Sequence, residues 1–140
     1  MNPATWSSGR RWLILTIAAG ATVAFSAAVG IVPTYRLAGS SGAVAMGLAG
    51  AVVWLVSAVG AIPVARARAA SARQAIAAVQ LGMLIRFGLM LVGALTAVFG
   101  TSLPQVPLLV WGVVHYLAVL VVVTGTELWL LRNPRREASA

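Results

Sequence analysis

The chain has 140 residues, of which 61% are hydrophobic and 9% charged, whereas soluble domains carry about a quarter charged residues. Its ten cationic residues are all arginine and its two acids both glutamate, for a formal charge of +8. That balance does not fit a water-soluble enzyme, and the absence of cysteine excludes disulfides, thiolate metal sites and thiol catalysis. Nucleic-acid binders present their basic residues on a solvated face or arm; here the arginines punctuate apolar runs, so they are read as topology markers that meet anionic lipid head groups, with no nucleic acid as partner.

An α-helix needs about 20 apolar residues to cross a hydrocarbon core roughly 30 Å thick. The first such run follows Arg10 and Arg11, spans about 12–33 and is expected to stop at Pro33, Thr34, Tyr35 and Arg36. It is longer than the apolar region of about 7 to 15 residues of a cleaved signal peptide, so it is kept as a helix. The Gly and Ser stretch from Gly39 to Gly42 turns the chain into a second run, about 43–65, ending at Arg66 and Arg68. A third helix is expected over about 75–99, stopping at Gly100, Thr101, Ser102 and Pro104, and a fourth over about 107–131, followed by Arg132, Arg135 and Arg136 in a polar tail.

The expected fold is therefore all-α, a single integral membrane bundle of four transmembrane helices. Arg10, Arg11, Arg66, Arg68, Arg73, Arg132, Arg135 and Arg136 then fall on one side and Arg36 alone on the other. Cytoplasmic loops carry the excess of positive charge, which puts both termini and the central loop inside. Trp12, Tyr35, Trp111 and Trp129 lie near span ends, where amphipathic rings prefer the interface, and are given no catalytic role.

Helices in lipid associate through close packing of small residues and a few polar contacts. Ala43, Gly47 and Ala51 recur every four residues in the second run, with Gly50 beside them, and are expected to pack within the chain or, failing that, against another copy. Gly82, Gly93 and Ala97 flank Arg86 on the third helix at helical spacing, so Arg86 should face protein.

A charge within a span costs from about 2.5 to over 10 kcal/mol. At about 1.5 Å per residue, Arg86 and Glu127 lie at similar depths from one edge, and Glu127 is the acid available within a span. An Arg86 to Glu127 pair between the third and fourth helices is the preferred arrangement. With Gln80 it would offer a site for an ion or a partner's polar group; otherwise it pins two helices, or the arginine snorkels to phosphates. One carboxylate cannot supply the several oxygens a hard cation wants, so no metal or cofactor is expected. His115 should lie toward the far leaflet, satisfied by a backbone carbonyl or interfacial water. No phosphate loop, nucleophile triad, paired carboxylates or HExxH spacing occurs.

The stretch Leu81-Gly82-Met83-Leu84-Ile85-Arg86-Phe87-Gly88-Leu89-Met90-Leu91, followed by Leu103-Pro104 and Pro107-Leu108-Leu109-Val110-Trp111, resembles ATP synthase protein I, a small membrane protein encoded with many bacterial F-type ATP synthases. The likeness extends to four short spans and a basic central loop. Arg86 matches the family's basic residue in the third span; Met83 stands where the family has an acid, and Gly47-Leu48-Ala49-Gly50-Ala51 lacks the Leu-Pro-Asn that often follows the family's glycines. The resemblance implies a non-enzymatic accessory protein of the bacterial inner membrane that helps the c ring form, with the ATP synthase c subunit as partner; magnesium supply has also been suggested for the family. A small oligomeric transporter or channel, or a structural subunit of another membrane complex, is the alternative.

Overall fold

The computed structural model describes residues 7–67 and 71–132. Of the arginines behind the expected topology, Arg68, Arg135 and Arg136 lie outside the described residues, as does the tail after Arg132. The described residues form α1 (Ser8–Gly60), α2 (Ile62–Arg66), α3 (Ala72–Gly100) and α4 (Gln105–Arg132), with no strand among them. Three of these helices, α1, α3 and α4, are long and apolar enough to cross a membrane, as in a multi-pass membrane protein.

Helix α1 begins four residues before the expected start because Ser7 caps it, its hydroxyl accepting from the Arg10 amide at 3.3 Å. It also runs through Pro33, where the first helix was expected to stop. Proline removes one amide donor without forcing a turn. The break comes at Gly39, whose φ of 64° and ψ of −161° are open only to glycine at little cost. One residue thus does the work expected of the stretch from Gly39 to Gly42.

The two arms of α1, residues 8–38 and 40–60, run antiparallel. The Trp12 indole N–H donates to the Ala58 carbonyl at 2.8 Å, and that of Trp54 donates to the Thr16 carbonyl at 3.1 Å. Nearer the break, the Thr34 hydroxyl faces the Met46 sulfur at 3.8 Å. Beyond the second arm the helix does not continue to residue 65 as expected. Pro63 lacks the amide that would bond back to Val59, so the chain breaks at Ala61 and restarts as the short α2. Arg11 closes this end, donating through Nη1 to the Ala67 carbonyl at 2.9 Å.

Helix α4 packs chiefly against α1, while α3 rests on α1 and α2 and touches α4 least. The buried face of α4 is the stripe Leu108, Gly112, His115, Val119, Val123, Glu127 and Leu130, spaced by three or four residues. The larger core gathers Leu15, Ala19, Val53, Val64, Val79, Val119 and Val123; a smaller one of Ala45, Ala49, Ala97 and Leu108 lies at the far end. Most of α3 is left outward, with Leu84, Phe87, Leu91, Leu95 and Phe99 exposed.

Of the two uses expected of Gly47 and Ala51, packing within the chain is not what the structure shows. Gly47 and Ala51 are exposed, and a Cβ added at Gly47 would meet nothing within 4 Å. The inward residues are Ala45, Met46, Ala49, Gly50, Val53, Val56 and Ser57. The rotation follows from the larger neighbours: Val53, Val56 and Met46 gain more contact inward than Ala43, Gly47 and Ala51 could.

Candidate functional site

Arg86 sits on the one face of α3 that meets the bundle, along with Val79, Gly82 and Ala97. Opposite it, Glu127 lies near the end of the buried stripe of α4, followed there by Leu130. The two form a fork-to-fork pair, Nη2 with Oε1 and Nη1 with Oε2, the second contact being 3.4 Å. Arg86 is 1% exposed and Glu127 0%. A guanidinium facing a carboxylate in this bidentate manner gains direction as well as charge compensation, and in hydrocarbon the alternative is two uncompensated ions.

The site has a backbone floor that the sequence did not reveal. Gly60 closes the second arm of α1 directly beneath Arg86: a Cβ there would collide with Arg86 Cγ, lie 2.8 Å from its Nε and 3.0 Å from the Gly82 carbonyl oxygen. A Cβ on Gly82 would in turn stand 2.7 Å from the Gly60 carbonyl oxygen. Two glycines thus let α1 and α3 touch backbone to backbone, and the arginine stem lies in the slot they leave. Gly93 extends the contact, its missing Cβ being replaced by Val52 Cγ1. Gln80, considered as a third member, is exposed and apart from the pair.

A second buried polar group lies toward the Gly39 end. His115 is 0% exposed, with Nδ1 2.7 Å from the Ser26 hydroxyl. That hydroxyl is 2.9 Å from the Thr22 carbonyl and 3.0 Å from that of Val23. The Ser26 hydroxyl thus stands within hydrogen-bond reach of both its own helix backbone and the imidazole. A side chain of α1 meets the Nδ1 edge of the ring, while Nε2 is buried without a hydrogen-bond partner among the described residues. Trp111, one turn away, stacks at 5.4 Å from the imidazole, covers Gly30 and donates to the Thr34 hydroxyl at 2.8 Å. Neither partner stood out in the sequence: Ser26 lies inside an apolar run, and Thr34 falls in the stop expected after it.

The two groups do different jobs along one bundle: the histidine cluster ties α4 to the first arm of α1, and the ion pair ties α3 to α4. Between α3 and α4 an apolar groove of about 250 Å³ opens, lined by Phe87, Met90, Leu91, Gly93, Leu109 and Val113 among others. Among the described residues no group of three or more His, Cys, Asp or Glu side chains is placed to hold a metal ion. The whole is a helical, membrane-type bundle with a charge-neutral internal clamp. Comparison with known protein families, curated proteins and solved structures gives no match.

Proposed function

We propose that the chain is a non-enzymatic accessory protein of the bacterial inner membrane that assists assembly of the c ring of an F-type ATP synthase. It crosses the membrane four times, α1 twice by way of Gly39, with both termini in the cytoplasm. The observation that carries the reading is the fate of the two charges within the spans. Arg86 and Glu127 are spent on each other inside the bundle, so neither is free to line an ion pathway. What α3 offers outward is apolar surface, Leu84, Phe87, Leu91 and Leu95, which only lipid or another helix can cover. A bundle whose internal charges cancel and which has one poorly covered helix suits transient contact with newly inserted hairpins, in keeping with the resemblance of the third and fourth helices to ATP synthase protein I.

Deleting the gene is expected to lower the yield of assembled c ring while leaving the amount of c subunit unchanged, read from detergent-solubilised membranes on native gels. Unchanged ring yield and membrane ATPase content under several growth conditions would remove the assembly role. Stable co-purification with some other complex would instead indicate a structural subunit.

The crossing pattern has its own test in the arginine asymmetry. Reporter fusions after Arg73 and at the C-terminus are expected to read cytoplasmic, and fusions after Gly39 and Thr101 external. An external C-terminus would sink the four-span arrangement.

A further inference from the structure

At the end of the bundle opposite Gly39, the start of α1, the end of its second arm and α2 enclose a groove of about 380 Å³. Its walls are Trp12, Leu55, Val59 and Ile62, and Ser8 and Arg66 also line it. The Trp12 ring is held in place by its bond to the Ala58 carbonyl, which uses its N–H and leaves its faces to hydrocarbon. Arg66 is exposed, and Arg11 and Arg73 belong to the same end of the bundle. No acid among the described residues stands near them, because the one described, Glu127, is buried against Arg86.

We propose that this groove binds one anionic glycerophospholipid, its acyl chain along Trp12, Leu55, Val59 and Ile62 and its phosphodiester on Arg66. Charge complementarity selects the occupant. A zwitterionic lipid would fill the apolar walls equally well but would bring a cation to a cationic rim. A free phosphate would meet Arg66 and leave the hydrocarbon walls uncovered. The proposal rests on the membrane reading alone and is independent of the ATP synthase partner. A basic residue near an anionic head group contributes about fivefold in affinity, so Arg66 sets the expected size of the preference.

The test is native mass spectrometry of the full chain in detergent, with phosphatidylglycerol or phosphatidylcholine of identical acyl chains added. Phosphatidylglycerol is expected to be retained about fivefold more than phosphatidylcholine. Arg66→Gln should abolish the preference, Val59→Trp should displace both lipids, and Arg73→Gln, at the same end but outside the groove, should change little. Because Arg66 and Val59 are both exposed, neither variant disturbs the core. Equal retention of the two lipids, or an equal loss in Arg73→Gln and Arg66→Gln, would overturn the site in favour of a diffuse basic surface. Displacement of phosphatidylglycerol by inorganic phosphate would overturn it in favour of a free-anion site. Failure of c-ring assembly experiments would leave these outcomes untouched.

Discussion

Arg86→Leu and Glu127→Leu are each expected to destabilise the protein in detergent by about 3 to 5 kcal/mol, because each leaves the other ion buried without a partner. The double variant should lose less than either single one. A buried ion pair replaced by apolar side chains of similar volume is often neutral or better, since two desolvation penalties vanish together. Polar contacts between membrane helices couple by only about 0.6 kcal/mol on average. A coupling well above that in a double-mutant cycle would mark this pair as a clamp, whereas a coupling near zero would mean that the two charges are compensated separately. If ring assembly also survives in the double variant, the pair serves the fold and the partner surface lies elsewhere, on the outward side of α3.

The pair was legible in the sequence because its cost is large and its choices few. Two opposite charges, each inside an apolar run and at similar depth, have strong reason to meet. The inward faces were not legible in the same way. In helices that are apolar on every side, hydrophobic periodicity carries little signal, and small residues mark two rival stripes on the second arm: Ala43, Gly47 and Ala51, or Ala45 and Ala49 in line with the larger Val53. The structure takes the second, for packing reasons that no count of glycines weighs. Boundaries failed for a related reason. Pro33 looked like a stop because it breaks helices in water, yet the chain passes it and turns at Gly39, the described residue with a positive φ.

His115 shows how far a lone polar residue can be read. Its depth in the fourth helix followed from its place in an apolar run, but its partner, Ser26, is 89 positions away in the chain. Nothing local in the sequence links the two. Ser26 also bonds its own helix, the usual behaviour of a serine in a membrane helix, so it would not stand out among Thr16, Thr22 and Thr34. The partner is fixed by how the first arm of α1 and α4 are aligned, which is a property of the assembled bundle.

The same dependence on assembly makes Gly60 the most informative glycine. At an open helical position such as Gly125, where an added Cβ meets nothing within 4 Å, Gly→Ala should stabilise by about 0.5 to 1 kcal/mol through helix propensity. At Gly60 the same change should have the opposite sign, because the methyl group would fall on the Arg86 stem and press on the Gly82 carbonyl. Overpacking of this kind costs about 1 to 3 kcal/mol, and here it also pushes α3 outward and stretches the ion pair. Thermal unfolding in detergent of Gly60→Ala, Gly82→Ala and Gly125→Ala reads the signs directly. Gly82→Ala should resemble Gly60→Ala, and the two together should cost less than their sum, since both open one backbone contact. The link to the clamp is a further cycle: Glu127→Leu should cost less in the Gly60→Ala background than in the parent, where the pair is intact. Should Gly60→Ala melt with Gly125→Ala above the parent, α1 and α3 would not meet at these glycines, and Arg86 would have to be held by Glu127 alone.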